Sequence, residues 1–194
     1  MRDCVDKGVK AVSFWTTGFS EVGGEGTSLE ANMVEIARKG GIRILCPNCV
    51  GIHYCPKAKI SCFEDFPKES GAVGFFCQSG GNCIQLVNIA SNRGARFSKV
   101  VGYGNACDLN ESDFLDYFAQ DPDTKIITGY IEEIKDGKHF IAALAKATKA
   151  KPVILVKAGH TEAGARGAAS HTGSLAGSEA AWNAIFKQLG VIRV

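Results

Sequence analysis

The sequence contains 194 residues, of which 45% are hydrophobic and 22% charged, and this composition is typical of a globular protein with a packed core. Its formal net charge of +2, from 22 basic and 20 acidic residues without a basic run, argues against a nucleic-acid partner. The longest apolar runs, such as PVILV, are too short to span a membrane, and the first residues, MRDCVDKGVKAV, lack the apolar segment of a signal peptide. We therefore expect a cytoplasmic protein whose eight cysteines are reduced thiols.

The first part of the chain predicts a short series of α/β elements. A buried strand is predicted over residues 9–15, and a glycine-rich stretch leads from it into a predicted helix over 27–41. Thr27 and Glu30 have the spacing of a capping box at the start of that helix. A second buried strand is predicted over 42–46.

These elements do not complete a domain. Two strands and one helix cannot close a layered α/β structure, so we expect residues 1–52 to be part of a domain, from a fragment or from a subunit whose other half lies elsewhere. Residues 53–70 contain two prolines and mixed polarity, which predicts a linker.

From Gly71 onward, strand and helix patterns alternate regularly. Strands that read as continuous apolar runs, separated by amphipathic helices, predict a parallel sheet covered on both faces, which is a doubly wound α/β domain over 71–194. The predicted strands are residues 71–77, 99–104, 125–131, 152–159 and 191–194, and the predicted helices are 82–94, 112–120, 137–149 and 179–190.

The segment CQSGG, Cys77 to Gly81, lies where a predicted strand turns into a helix. Ligands of doubly wound sheets bind beyond the carboxyl ends of the strands, and a glycine-rich turn there presents backbone N–H groups to an anion such as phosphate. The candidate phosphate-binding residues are Gln78, Ser79, Gly80 and Gly81. The alternative is a tight turn that needs glycine for its shape alone.

A single histidine, His171, lies in the segment GARGAASHTGSLAGS, residues 164–178, which is composed almost entirely of small residues. Such residues leave the imidazole open to a bulky partner, and a neutral imidazole is a competent nucleophile at pH 7. His171 is therefore a candidate catalytic residue. The alternative is a histidine in a solvent-facing loop.

Two adjacent carboxylates, Glu132 and Glu133, follow the predicted strand in the motif YIEEIKDG. A carboxylate beside a histidine fixes its tautomer and raises its basicity. Successive residues at a strand end face opposite ways, so we expect only one of the two to point at the site. The alternative is a helix start whose acids complement the helix dipole.

The motif CPNC pairs Cys46 and Cys49, with His53 and Cys55 close behind. This spacing is compatible with zinc or with redox chemistry. The segment that follows does not look helical, as a redox CxxC requires, and a zinc finger would be out of place at a sheet edge. We predict no metal site.

Taken together, the motifs resemble a known family. The matching stretches are GVKAVSFWTTGFSEVGGEG, CPNCVGI, GAVGFFCQSGG, GNACDLNESDFLDYFAQDPDTKIITGYIEEIKDGK and KAGHTEAGARGAASHTGSLAGS. They are similar to the alpha-type region of NDP-forming acyl-CoA synthetases, the family of ADP-forming acetate–CoA ligase, which is related to the succinyl-CoA synthetase alpha subunit.

The resemblance implies a fold and a set of site residues. Residues 71–194 would be a flavodoxin-like ligase domain, and 1–52 the C-terminal part of a Rossmann-like CoA-binding domain. The family's phosphorylated histidine falls on His171, the turn that holds it on Gln78 to Gly81, and its orienting glutamate on Glu132, with Glu133 an ambiguous neighbour. The CoA-binding residues implied are Gly18, Phe19, Pro47 and Asn48.

The resemblance also implies substrates and partners. The reaction would convert a carboxylic acid, CoA and ATP into acyl-CoA, ADP and phosphate, in either direction. ATP would bind with Mg²⁺ to an ATP-grasp domain or beta subunit, and the protein would be oligomeric. Two alternatives remain open: a sensing module that binds acyl-CoA or nucleotide without phosphorylation, and an inactive truncated product. The presence of His171 favours the enzyme.

Overall fold

The computed structural model describes residues 1–49, 53–63, 65–159 and 179–194, which form a two-stranded sheet and a seven-stranded sheet. The helices are α1 (Arg2–Asp6), α2 (Glu25–Lys39), α3 (Gly80–Asn92), α4 (Glu111–Gln120), α5 (Gly137–Ala150) and α6 (Glu179–Leu189). The strands are β1 (Ala11–Ser13), β2 (Arg43–Leu45), β3 (His53–Cys55), β4 (Ile60–Ser61), β5 (Val73–Cys77), β6 (Phe97–Gly102), β7 (Ile126–Ile131), β8 (Val153–Lys157) and β9 (Ile192–Arg193). No helix in these ranges is long and apolar enough to cross a membrane.

The large sheet has the strand order β4-β3-β6-β5-β7-β8-β9, and β5 to β9 run parallel. Consecutive residues of a strand face opposite sides of the sheet, and Phe75 and Phe76 of β5 belong to different core clusters for this reason. Phe76 packs with α4 and α5, whereas Phe75 packs with α3. Helices therefore cover both faces, and the predicted doubly wound α/β fold is confirmed.

Residues 1–49 form the smaller unit, which we call the first region. Its strands β1 and β2 pair in parallel, and α2 packs on them through Met33 and Ala37. The predicted capping box of Thr27 and Glu30 is wrong, because the helix begins at Glu25 with no side-chain cap. The carboxylate of Glu30 instead accepts hydrogen bonds from the hydroxyl and the backbone N–H of Ser20, at 2.8 and 3.3 Å.

The segment 53–70 differs from the linker that its composition predicts, because it contributes β3 and β4 to the edge of the large sheet. Strand β3 pairs antiparallel with β6, and β4 pairs antiparallel with β3. Tyr54 is buried against Phe66, with ring centroids 5.2 Å apart, and its hydroxyl donates a hydrogen bond to the carbonyl oxygen of Pro67. Strands of two and three residues are too short for a periodic pattern, which explains why the sequence does not reveal them.

The first region is joined to the large sheet through the loop that follows β6. The carboxylate of Asp108 accepts hydrogen bonds from the Arg43 guanidinium at 2.8 Å and from the backbone N–H of Ile44 at 2.9 Å. The backbone N–H of Leu109 donates to the carbonyl oxygen of Ile44 at 3.1 Å. These contacts hold β2 against the loop and so bring the first region to the carboxyl edge of the large sheet.

Candidate functional site

A cleft of about 420 Å³ lies where the first region meets the carboxyl ends of β5, β6 and β7. The first region borders it with Trp15, Thr17, Ser20, Glu21, Asn48 and Cys49. The large sheet borders it with Gln78, Ser79, Gly80, Gly81, Gly104, Asn105, Glu132, Glu133 and Lys135. All four predicted phosphate-binding residues and both predicted glutamates therefore meet in one cleft, at the edge where doubly wound sheets bind ligands.

The turn from β5 into α3 opens onto this cleft. The hydroxyl of Ser79 caps the helix by accepting a hydrogen bond from the backbone N–H of Asn82 at 3.4 Å. A Cβ atom added at Gly81 would meet no atom within 4 Å, so the space beside the first helical turn is open. A helix N-terminus with unpaired N–H groups and free space beside it can accept an anion.

Gln78 ties this turn to the end of β7. Its backbone N–H donates to the carbonyl oxygen of Tyr130 at 3.0 Å. Its side-chain Oε1 accepts hydrogen bonds from the backbone N–H groups of Glu132 and Glu133, both at 2.9 Å. The residue is 6% exposed. The oxygen of its amide is thus committed within the protein, which leaves the Nε2 group for a ligand.

The structure brings both Glu132 and Glu133 to the cleft, whereas strand alternation predicts only one. Strand β7 ends at Ile131, so the two glutamates lie in a bend where alternation no longer applies. The hydrogen bonds from both backbone N–H groups to Gln78 hold this bend. The geometry of the cleft therefore does not distinguish the two carboxylates.

The surroundings of Glu132 do differ from those of its neighbour. Burial raises the pKa of Tyr130, and the Glu132 charge raises it further. The Lys157 ammonium group, on a residue only 3% exposed, donates to the carbonyl oxygens of Glu132 and Ala158 at 2.8 Å each. Burial lowers the pKa of Lys157, and the Glu132 charge opposes that shift. Glu132 and Glu133 are both half-buried, and Glu132 is the one whose charge acts more strongly on Lys157.

Asn105, which the sequence reasoning missed, connects the two sides of the cleft. Its Nδ2 lies 2.9 Å from the carboxylate of Glu30 and 2.5 Å from that of Glu21. Its Oδ1 accepts from the Nδ2 of Asn48 at 3.1 Å, and its carbonyl oxygen accepts from the Lys135 ammonium at 2.5 Å. The contacts join residues far apart in sequence, so only the turn-rich composition of GYGNACDLN hints at them.

The predicted CoA-binding residues differ in their position relative to the cleft. Asn48 borders the cleft. The backbone N–H groups of Gly18 and Phe19 donate to the carboxylate of Glu21 at 2.6 and 3.3 Å, and the carbonyl oxygen of Pro47 accepts from the N–H of Asn105 at 2.9 Å. Their backbone groups shape the loops around the cleft, and CoA binding by all four residues stays a prediction.

Burial would raise the pKa of Glu21, but the hydrogen bonds from Asn105, Gly18 and Phe19 outweigh that effect and hold the pKa below its ordinary value. Glu21 is therefore ionised at neutral pH. Of the residues that the structure describes, three carboxylates border the cleft, those of Glu21, Glu132 and Glu133, together with one ammonium group, that of Lys135.

The cysteines of the CPNC motif form a disulfide, with the Cα atoms of Cys46 and Cys49 5.9 Å apart. The expectation that all eight cysteines are reduced thiols is wrong at this pair. The loop between the two cysteines packs on Gly104, where a Cβ atom would overlap the carbonyl oxygens of Pro47 and Asn48. Cys4, Cys55, Cys77, Cys83 and Cys107 are free cysteines.

Within the described ranges, no group of three or more histidine, cysteine, aspartate or glutamate side chains lies close enough together to hold a metal ion. These residues do not fit a resident Mg²⁺ site. His171, with the whole segment 160–178, lies outside the described residues, so its predicted role as the catalytic histidine stays a prediction.

Comparison with known proteins identifies a family whose sequences are similar to this chain. The sequence profile of the succinyl-CoA ligase like flavodoxin domain matches residues 70–194. The chain is 42% identical over 193 residues to the alpha subunit of acetate–CoA ligase [ADP-forming] I from Pyrococcus furiosus, and 46% identical over 190 residues to the alpha subunit of isoenzyme II from the same organism. These alignments cover 100% and 98% of this chain, and 42% and 41% of the two relatives.

A solved structure is also similar. The dinucleotide forming acetyl-coenzyme A synthetase 1 of Ca. Korarchaeum cryptofilum, in complex with phosphate and ADP, superimposes with a TM-score of 0.90 at 40% identity. The superposition covers 100% of this chain and 42% of that protein. The chain thus spans less than half the length of the relatives described here.

Proposed function

Because the chain belongs to the succinyl-CoA ligase like flavodoxin family, we propose that it is the alpha-type part of an ADP-forming acid–CoA ligase. The reaction converts a carboxylic acid, CoA and ATP into acyl-CoA, ADP and phosphate, and it runs in either direction. Relatives named ADP-forming acetate–CoA ligases, about 40% identical along the whole chain, support this reaction class. A relative that holds phosphate and ADP supports the substrates.

The observation that carries the proposal is the junction between Gln78 and the two glutamates. One amide oxygen joins the start of the α3 turn to the backbone of Glu132 and Glu133. An anion-accepting helix terminus and the backbone that carries two carboxylates are thereby held in fixed relation. A phosphohistidine needs both: N–H groups for the phosphoryl oxygens and a carboxylate that orients the ring.

We assign the phosphoryl carrier to His171. Its imidazole takes the γ-phosphoryl group from ATP, breaking the bond to the β-phosphate oxygen and releasing ADP. The phosphoryl group then passes to the carboxylate of the acid, which forms an acyl phosphate. The CoA thiolate attacks the acyl carbon, so the thioester forms and inorganic phosphate leaves. The turn of Gln78 to Gly81 stabilises the phosphoryl charge during these steps.

The nucleotide and its Mg²⁺ bind to a partner domain or subunit in this proposal. Mg²⁺ neutralises charge on the transferring phosphates, and the described residues do not form a site for it. We propose that an ATP-grasp domain or beta subunit holds both, and that His171 meets it when the nucleotide binds. Because ATP and CoA are the substrates, we propose a cytoplasmic location.

Phosphorylation of His171 tests the proposed function. The chain, incubated with an ATP-grasp partner and ATP labelled at the γ-phosphate, should acquire a label that is stable in base and labile in acid. His171→Asn should abolish the label. His139→Asn is the matched control, since His139 lies on the surface of α5 with its Nε2 3.7 Å from Asp116. Equal labelling of the His171→Asn protein would contradict the proposal.

The two glutamates can be separated by the same assay. We expect Glu132→Gln to slow labelling of His171 at least tenfold and Glu133→Gln to slow it far less, because the charge of Glu132 acts more strongly on the neighbouring Tyr130 and Lys157. The reverse order would assign the orienting carboxylate to Glu133.

A further inference from the structure

Trp15 has an unusual position for a tryptophan. It follows β1, borders the cleft, and is 57% exposed. Tryptophan is on average a highly buried residue, and a large apolar surface left open in a groove marks a contact with a ligand or a partner. Its position on the wall of the cleft favours a ligand.

Among the described residues that border the cleft, Trp15 is the one aromatic side chain. Within the described part of the chain, the ring of Trp15 packs on no other ring. Trp182 shows the contrast, since it packs against Phe140 and Phe186 with ring centroids 6.0 and 5.3 Å apart. The indole face of Trp15 is therefore available to a molecule that enters the cleft.

The rest of the cleft indicates which molecule. The large sheet contributes an anion-accepting turn at Gly80 and Gly81, and the first region contributes Trp15. The carboxylates of Glu21, Glu132 and Glu133 also border the cleft, so a ligand with no negative charge beyond its head is favoured. A ligand with an anionic head and an apolar body fits this division, because its head can bind the turn and its body can pack on the indole. The volume of about 420 Å³ is in the range of sites for drug-sized ligands, roughly 300–1,000 Å³.

We propose that Trp15 forms the aromatic wall of the acyl-binding site and favours acids with a planar apolar group, aryl or unsaturated, over acetate. The inference rests on the proposed function, which supplies a carboxylic acid as substrate. It adds the class of acid and the residue that selects it. Offset or edge-to-face packing of an aryl group on the indole provides the selectivity.

Direct binding tests the site without catalysis. The Trp182→Phe protein retains Trp15 as its only tryptophan. We expect 3-phenylpropanoate to change its emission saturably and propanoate at the same concentration to leave it unchanged. In the otherwise unaltered chain, Trp15→Ala should raise the Kd for 3-phenylpropanoate roughly three- to tenfold, whereas Trp15→Phe should stay within about twofold because a ring remains.

Tyr117→Ala is the matched control, because Tyr117 is 52% exposed on α4, outside the cleft. It should leave the Kd for 3-phenylpropanoate unchanged. An equal effect of Tyr117→Ala and Trp15→Ala, or equal binding of both acids to every variant, would overturn the inference.

Kinetics of the complex with the ATP-grasp partner separate this inference from the proposed function. Trp15→Ala should lower kcat/KM for 3-phenylpropanoate and leave that for acetate within about twofold. A raised KM for CoA with every acid would place the indole against CoA and overturn the inference. If His171 is phosphorylated and both acids lose activity equally, the inference fails and the proposed function stands. If aryl acids bind through Trp15 and no label reaches His171, the proposed function fails, but Trp15 remains part of a binding site for aryl acids.

Discussion

Gln78 and Glu132 are joined by a hydrogen bond of 2.9 Å, in which the side-chain oxygen of the glutamine accepts from the backbone N–H of the glutamate. The same oxygen accepts from the next backbone N–H at the same distance. A side chain at the end of β5 thereby fixes the backbone at the end of β7. The turn that begins at Gln78 and the backbone of the two glutamates therefore cannot shift independently.

Gln78→Leu should therefore disturb both stability and chemistry. Leucine has a similar size but no acceptor, and it leaves two partly buried N–H groups without a partner, which costs about 2 kcal/mol. Chemical denaturation of the chain should show this loss, and labelling of His171 should slow at least tenfold. Gln85→Leu, at an exposed position of α3, is the control and should change neither. Equal stability and equal labelling rates of the two variants would show that the hydrogen bonds of Gln78 play no part in the mechanism.

Gly81→Ala should separate stability from activity. The added methyl group meets no atom within 4 Å, and alanine favours a helix over glycine, so the free energy of unfolding should rise by about 0.5–1 kcal/mol. The methyl group occupies the open space beside the turn, so phosphoryl transfer should slow. Gly137→Ala, at the first residue of α5 with similarly open space, should give the stabilisation alone. Full activity of the Gly81→Ala protein would mean that phosphate binds elsewhere.

The buried carboxyl group of Glu111 should make stability depend on pH. Glu111 is 2% exposed at the first residue of α4, and burial raises its pKa from 4.5 to about 7. Between these values the folded chain retains a proton that the unfolded chain has lost. The contribution of Glu111 to stability is thus fully present below pH 4.5 and is lost as the pH rises through 7, by about 3 kcal/mol in total.

Glu111→Gln should flatten this dependence, because an amide does not titrate. Denaturation curves from pH 5 to pH 8 measure it. Glu25→Gln is the matched control, since Glu25 is also the first residue of its helix but is exposed. The control should keep the slope of the unaltered chain, and a Glu111→Gln protein with that same slope would show that Glu111 is ionised in the folded chain.

The disulfide can be detected by counting the cysteines that react with an alkylating reagent. Alkylation of the denatured chain without a reductant should modify six of the eight cysteines, and alkylation after reduction should modify all eight. Peptide mapping should locate the two protected residues at Cys46 and Cys49. Modification of eight residues without a reductant would show that the pair is reduced as isolated.

The sequence predicts the central sheet well, because strands such as β5 and β7 are buried apolar runs separated by amphipathic helices. The same reasoning places Gln78 and Glu132 at one sheet edge, since parallel strands end together. It does not find β3 and β4, which are too short to show a period. It also misses Asn105, whose partners lie as far as 85 residues away along the chain.

Gly104 limits how the chain can be recombined. Its φ of +50° and the overlap that a Cβ atom would make with Pro47 and Asn48 mean that the CPNC loop lies directly on its backbone. A chimera that exchanged residues 1–49 with those of another protein would need a loop of the same shape, and one that exchanged the large sheet would need a glycine at position 104. Residues 1–49 and the large sheet are distinct units of the fold, but neither can be exchanged without regard to the other. The reason is that the α-carbon of Gly104 lies directly against the loop of Pro47 and Asn48.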